Sequence, residues 1–187
     1  MNETLLLVTT LAASTIRLAT PLIWAAMGGL LCERAGVVNI ALEGLLLTGA
    51  FVGAVAAHDT GSPWLGLAAG MAAGSLVGLL YAVATVRFRA DQIVAGTAIN
   101  ILVVGLTAVV ARALFGVTGS SPALPREARF AEIHVPALAD IPVMGPVFFQ
   151  HLPLVYLAPV VALILAMVLR RTRAGLRLTA VGEAPDA

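Results

Sequence analysis

The sequence has little charge, no lysine and a single cysteine. Only 11% of its 187 residues are charged and 60% are hydrophobic, with a mean hydropathy of +1.00. Soluble domains carry about 25% charged residues, so water is not the main solvent of this chain. The composition therefore predicts an all-α polytopic membrane protein. With Cys32 alone, an intrachain disulfide and a CxxC metal or redox site are both excluded.

Catalytic motifs are also missing. The sequence contains no HExxH zinc motif, no GxSxG nucleophile elbow, no P-loop and no Cys/His metal spacing. We therefore expect no enzymatic activity, no metal, no cofactor and no ATP site on this chain. The N-terminus lacks a basic region followed by a small-residue cleavage site, so we expect no removable signal peptide.

Hydrophobic runs separated by polar turns predict about five transmembrane helices in a single domain, residues 1–187. The first run measures roughly 40 Å as a helix, longer than the ~30 Å hydrocarbon core, and we expect Arg17 to divide it and Pro21 to kink it. The predicted spans are 5–31, 36–57, 64–86, 92–115 and 152–169. The proline-rich connection 116–151 is predicted outside the membrane, with a basic loop at 170–187.

The arginines give this arrangement an orientation. Seven of them fall on one predicted side, at positions 34, 87, 89, 170, 171, 173 and 177. Cytoplasmic loops carry an excess of basic residues. The sequence therefore predicts the N-terminus outside and the C-terminus inside.

A stripe of small residues runs along the third predicted span. Gly66, Gly70, Gly74 and Gly78 recur every four residues, on one face of a helix. Small residues allow another helix backbone to approach closely, so we interpret the stripe as a helix-packing seam.

Four polar residues within the predicted spans are candidates for a translocation path or gate: Arg17, Asn39, Glu43 and Asn100. In a helix, Asn39 and Glu43 share one face. Glu43 and Asn100 lie at similar predicted depths, roughly 10 and 13 Å from the inner side, which allows their side chains to pair. Intramembrane polar groups of this kind mark functional sites or fix packing, and both interpretations stay open. Arg17 is either an interfacial anchor or an inward-facing partner.

Four separated runs resemble one family, the permease subunits of bacterial ABC importers of the branched-chain amino acid and simple-sugar class, nearest to its nucleoside-type branch. These runs are residues 15–22, 33–44, 90–100 and 174–183.

The resemblance implies a second permease subunit, cytoplasmic ABC ATPase subunits and an extracytoplasmic substrate-binding protein as partners, in a bacterial inner membrane. It implies that the loop 170–187 couples to the ATPase through Arg173, Gly175, Leu176, Arg177, Gly182 and Glu183. Family members continue with further spans after this loop, so we expect the chain to be the N-terminal part of a permease. The lipid bilayer is an expected partner and nucleic acid is not.

The resemblance favours a nucleoside as the transported substrate. A sugar or a branched-chain amino acid is the alternative within the same class. From a different class, a passive channel or membrane scaffold would use the same glycine seam without an ATPase.

Overall fold

The computed structural model describes residues 3–116, 123–134, 141 and 143–183. Its helices are α1 (Glu3–Arg34), α2 (Leu42–Thr60), α3 (Pro63–Ala82), α4 (Gln92–Phe115), α5 (Met144–Phe148), α6 (Pro153–Arg171) and α7 (Arg173–Glu183). A π-helical turn, Val83–Arg87, extends α3, and a 3₁₀ turn covers Arg126–Ala128. The strands β1 (Ile133–His134) and β2 (Gln150–His151) form a two-residue antiparallel ladder.

The chain separates into two compact units. One comprises Met1–Gly36 together with Phe130–Ala187, and the other is Val37–Arg129. The first contains α1, α5, α6, α7 and the strand pair, and the second contains α2, α3 and α4.

Four helices in the described ranges are long and apolar enough to cross a membrane: Glu3–Arg34, Pro63–Arg87, Gln92–Phe115 and Pro153–Arg171. The remaining predicted span, 36–57, corresponds to α2, a 19-residue helix that contains Glu43, His58 and Asp59. These charged and polar side chains lower its apolar character relative to the other four. The all-α membrane fold is as predicted.

Helix α1 is continuous for 32 residues and passes through Arg17 without a break, with Pro21 inside it. The division at Arg17 into a membrane-crossing part and an outer part stays a prediction. A proline in a helix removes one backbone donor, and the remaining backbone hydrogen bonds keep α1 helical on both sides of Pro21. At 1.5 Å per residue α1 extends about 48 Å, well beyond the ~30 Å hydrocarbon core.

The bounds of α2 differ from the prediction. The span predicted at 36–57 begins instead at Leu42, because Gly36 adopts a left-handed conformation (φ 78°) and residues 37–39 are not helical. The same helix ends at Gly61, whose φ of 67° is left-handed and whose N–H donates to the Ala57 carbonyl at 2.9 Å. Most of the segment 170–187, predicted as a coupling loop, is the helix α7. Residues 117–122, 135–140, 142 and 184–187 of the two predicted loops lie outside the described residues.

Helices α2 and α3 pack through the glycine stripe. A Cβ added to Gly66 would lie 2.7 Å from the Gly53 carbonyl oxygen, and one added to Gly70 would lie 2.6 Å from the Gly49 carbonyl oxygen. The two backbones therefore touch where both helices lack side chains. Gly74 and Gly78 face the Leu45 backbone and side chain at ordinary or slightly close distances.

Helices α2 and α4 run parallel. Gly44 is bonded to Asn100 near their N-termini, and the rings of His58 and Phe115 meet edge to face near their C-termini, with centroids 6.1 Å apart. The residue offset is almost the same at both ends, so the two helices keep a constant register. The start of α2 is consequently fixed against the start of α4.

Candidate functional site

A stripe of three residues on α4 contacts the segment that leads into α2. Gln92, Gly96 and Asn100 are spaced by four residues and share one face of the helix. Each of them meets a different part of residues 38–44. Backbone outside a helix must find partners for its N–H and C=O groups where water is absent, and this stripe supplies several of them.

The first part of this site is at Val38, where Tyr81 and Gln92 bind both backbone groups of one residue; we call this pair of contacts the clasp. The Val38 N–H donates to Gln92 Oε1 at 2.7 Å, and the Tyr81 hydroxyl lies 2.7 Å from the Val38 carbonyl oxygen. The same hydroxyl lies 3.2 Å from the Gln92 carbonyl oxygen. Tyr81 is only 3% exposed. Both backbone groups of Val38 are thus bound by side chains from α3 and α4.

The second part is a close approach at Gly96. A Cβ on this residue would lie 2.9 Å from the Ile40 Cβ and 3.0 Å from the Ala41 nitrogen. A real Cβ essentially never lies closer than 3.0 Å to a heavy atom that is outside its own residue and its chain neighbours. Gly96 is therefore needed for the non-helical segment to lie directly on α4.

The third part is the Asn100 carboxamide. Its Oδ1 accepts from the Gly44 N–H at 2.8 Å, and its Nδ2 donates to the Ile40 carbonyl at 3.0 Å. A helix leaves its first N–H groups without partners, and Asn100 satisfies one of those of α2 from a neighbouring helix. The predicted pairing of Asn100 with the Glu43 side chain is therefore wrong: the carboxamide binds backbone on either side of it.

Asn39 and Glu43 do not share a helix face, which corrects the prediction. Asn39 precedes the helix, and its Oδ1 accepts from the Ala41 N–H at 3.0 Å, so it shapes the turn into α2. Glu43 lies in the first turn of α2 and is exposed in this chain. The described residues offer its carboxylate no hydrogen bond or ion pair. A negative charge at this position is favoured by the helix dipole.

Sequence reasoning singled out Asn100 but missed Tyr81, Gln92 and Gly96. The signal was present in the spacing of four between positions 92, 96 and 100, which places a carboxamide, a glycine and a carboxamide on one helical face. Nothing in the sequence pointed to Tyr81, which looks like an interfacial aromatic until its hydroxyl is placed against the Val38 carbonyl.

The helix α7 contains all six predicted coupling residues and separates them into two groups. Its inward face carries Gly175 and Gly182, seven residues apart. A Cβ on Gly175 would collide with the backbone of Leu169, and one on Gly182 would collide with the Arg34 carbonyl oxygen and lie 2.9 Å from the Gly36 nitrogen. The two glycines therefore hold α7 directly against the ends of α6 and α1.

The other four coupling residues, Arg173, Leu176, Arg177 and Glu183, are exposed on α7. Leu176 is 68% exposed and Val181, on the same helix, is 60% exposed. Arginine is among the residues enriched in protein–protein interfaces. Within the described residues no ion pair involves either arginine.

Arg17 lies on α1 and forms an ion pair with Glu132, the residue directly before β1. The Arg17 Nη2–Glu132 Oε1 distance is 3.4 Å and both side chains are half exposed. The pair fastens the described part of the long connection to α1. On β2, His151 is 1% exposed, and its Nε2 lies 2.8 Å from the Val147 carbonyl oxygen.

Apolar helices of membrane-spanning length, with backbone breaks satisfied by side chains from neighbouring helices, define a multi-pass membrane protein. The family whose model matches residues 11–187 is described as the branched-chain amino acid transport system / permease component. The chain belongs to this permease family.

Three curated relatives support the same family assignment. The chain is 41% identical over 184 residues to the guanosine ABC transporter permease protein NupQ of Bacillus subtilis, covering 93% of the chain and 56% of that protein. It is 38% identical to the nucleoside ABC transporter permease protein NupC of Lactococcus lactis, covering 95% of the chain and 57% of that protein. It is 32% identical to a putative glucose ABC transporter permease protein, TsgC13, of Haloferax volcanii, covering 92% of the chain and 51% of that protein.

The chain thus spans little more than half the length of these relatives. No solved structure matches it significantly.

Proposed function

We propose that the chain forms part of the translocation path of an ABC importer in a bacterial cell membrane, and that the importer carries nucleosides. One observation carries the proposal: 41% identity, over 93% of the chain, to a protein named as a guanosine permease. The second relative, named as a nucleoside permease, supports the same substrate class. The proposed partners are a cytoplasmic ATPase, a second permease subunit and an extracytoplasmic binding protein.

Uptake of labelled guanosine tests the substrate. Cells that lack their own nucleoside uptake would express the full-length permease with its cognate ATPase and binding protein. We expect uptake that stops when the ATPase is inactivated. Uptake that continues without the ATPase or the binding protein would instead support a passive channel.

A sugar is the second candidate substrate, because one relative is named as a putative glucose permease. The cognate binding protein distinguishes the two. Its melting temperature should rise with guanosine and stay constant with glucose or leucine. A shift with glucose or leucine alone would reject the nucleoside assignment and leave the importer assignment intact.

The exposed side of α7 is the proposed ATPase-coupling surface. Leu176 and Arg177 point away from the close contacts made by Gly175 and Gly182, so changing them should leave the fold in place. We expect Leu176→Glu or Arg177→Glu to reduce co-purification of the ATPase about tenfold or more, since interface anchors of this kind contribute over 1.4 kcal/mol.

The matched control is Arg126→Glu, the same charge reversal on a 3₁₀ turn at the opposite predicted side of the membrane. It should leave the amount of co-purified ATPase unchanged. Equal losses in Arg126→Glu and Arg177→Glu would show a general charge effect and contradict the coupling role.

Residues 37–44 are the proposed inner gate of the path, with Asn39 shaping its turn, Asn100 fixing its backbone and Glu43 offering a carboxylate that has no partner among the described residues. Glu43→Gln keeps the size of the side chain and removes its charge. We expect guanosine uptake to fall several-fold while the melting temperature of the purified permease stays within the error of measurement. Unchanged uptake would remove Glu43 from the path. Arg17, already paired with Glu132, is proposed as a fastening of the long connection.

A further inference from the structure

Two shallow clefts in the described residues share one chemistry, although they lie in different units. The first, of about 470 Å³, is lined by Ala82, Val83, Val86, Arg87 and Arg89 at the end of α3. The second, of about 350 Å³, is lined by Ala166, Met167, Arg170 and Arg171 at the end of α6. Each combines a small apolar floor with two guanidinium groups.

The α3 cleft is formed by an unusual chain path. The helix widens into the π-helical turn Val83–Arg87, and the chain then reverses through Arg89, whose φ of 53° is left-handed. Two backbone hydrogen bonds hold this turn: Phe88 N–H to the Val83 carbonyl at 3.1 Å, and Ala90 N–H to the Ala84 carbonyl at 3.0 Å. Arg87 and Arg89 are thereby held on a defined turn and not on a loose tail.

The nearest carboxylate in sequence is already occupied. Asp91 Oδ1 accepts from the N–H groups of Ile93 and Val94, both at 2.9 Å, and so caps α4. The ion pairs found among the described residues are Arg17–Glu132 and His58–Asp59, away from both clefts. In that part of the chain, neither cleft contains a carboxylate that neutralises its arginines.

The floors of both clefts are exposed as well as apolar. Val83 is 40% exposed, Val86 66% and Met167 63%. These side chains belong to the last turns of two helices that are long enough to span a membrane. At such a position the apolar floor lies beside acyl chains and the arginines lie at the depth of the phosphates.

We propose that the two clefts bind anionic phospholipids, each holding a phosphodiester headgroup between its two arginines and an acyl chain along its apolar floor. A guanidinium group donates paired N–H bonds to phosphate oxygens, which an uncharged partner cannot match. Both clefts lie on the predicted cytoplasmic side, where the basic residues of this chain concentrate. The proposal depends on the membrane placement of α3 and α6 and is independent of the transported substrate.

Native mass spectrometry of the full chain tests it. The protein would be purified in a mild detergent and titrated with phosphatidylglycerol or with phosphatidylcholine. We expect two phosphatidylglycerol molecules to be retained preferentially. Arg87→Gln/Arg89→Gln should weaken one of these sites about 30-fold and Arg170→Gln/Arg171→Gln the other, since each arginine near a membrane surface contributes about 1 kcal/mol toward anionic lipid.

The control is Arg34→Gln/Arg177→Gln, which removes two exposed arginines from the same predicted side but outside both clefts. It should retain both lipids. Equal retention in all variants, or equal binding of phosphatidylcholine, would overturn the proposal. Displacement of phosphatidylglycerol by inorganic phosphate would show a site for free anions instead, and cleft variants that lose only the ATPase would show a protein-binding surface.

Discussion

The α2–α3 seam and the contact of α4 with residues 37–44 hold neighbouring segments of one unit together by opposite means. At the seam, Gly66 and Gly70 remove side chains so that two complete helices touch through their backbones. At the other contact, Gln92 and Asn100 supply side chains that bind the non-helical backbone of Val38 and Ile40, and Asn100 also binds the first turn of α2 at Gly44. The first arrangement depends on shape and the second on hydrogen bonds.

This difference has a consequence for movement. The backbone groups within α2 and α3 are bonded inside each helix, so separating the two helices exposes no unsatisfied backbone. Residues 37–41, by contrast, lose bonding partners whenever α4 shifts. A small displacement there exchanges discrete hydrogen bonds, which suits an element with two defined positions.

The largest expected effect comes from filling the seam. Gly70→Val would place a Cβ 2.6 Å from the Gly49 carbonyl oxygen, with backbone on both sides and no flexible side chain to move. We expect a loss of about 3 kcal/mol in the free energy of unfolding. Thermal or denaturant unfolding in detergent measures it. Gly105→Val, where a Cβ would have nothing within 4 Å, is the control and should change stability little.

Removing the Asn100 carboxamide should have the next largest effect. Asn100→Leu leaves the Gly44 N–H and the Ile40 carbonyl without this partner, at a cost of about 2 kcal/mol. Thr97→Val on the same helix serves as the control, since the hydroxyl it removes bonds, within the described part of the chain, to the Ile93 carbonyl of its own helix. If both variants unfold at the same temperature, the cross-helix bonds contribute nothing.

A smaller effect is expected at Gln92. Gln92→Leu removes the acceptor of the Val38 N–H, which lies in a part-exposed region where water can replace it, so we expect about 1 kcal/mol. Gln92→Glu keeps an acceptor oxygen and should retain most of the stability. Hydrogen exchange of the Val38 amide reports the bond directly, and an exchange rate unchanged by Gln92→Leu would contradict the clasp.

The smallest effect is expected at Tyr81. Tyr81→Phe removes the hydroxyl but keeps the buried ring, at a cost of about 0.6 kcal/mol, the average for side-chain hydrogen bonds measured in a membrane protein. Unfolding in detergent checks the value. Val38 amide exchange should rise less than in Gln92→Leu, and the reverse order would mean that the Tyr81 hydroxyl is the main support of Val38.

The sequence was sufficient to predict apolar helices and the residues Gly66 and Gly70, because composition and a spacing of four report them directly. The range of α4 was also readable, since Asp91 caps its start and Gly116 follows its end. The start of α2 was not. Residues 36–41 have the hydrophobicity of a helix. Gly36 and Asn39 allow the non-helical path locally, and the side chains of Tyr81, Gln92 and Asn100, distant in sequence, stabilise it.

The same limit applies to the candidate site. Asn100 was recognisable as a polar residue within a span, but its partners are backbone atoms, and a sequence gives no sign of which backbone groups lack a partner. Arg17 appeared to interrupt α1 because its charge is unfavourable in hydrocarbon. Its pairing with Glu132, more than a hundred residues later, removes the need for an interruption.

The parallel register of α2 and α4 has a further consequence during synthesis in the membrane. Helices α2 and α3 can pair once Leu80 and Tyr81, in the last turn of α3, have been synthesised, because both helices are then nearly complete. The partners of Val38, Ile40 and Gly44 on α4 are made more than fifty residues after them. Until Gln92 and Asn100 are synthesised, the Val38 N–H and the Ile40 carbonyl need another partner, and water at the predicted cytoplasmic interface can supply it. The segment therefore starts as a hydrated loop and exchanges part of its water contacts for bonds to Gln92 and Asn100 when α4 inserts beside it.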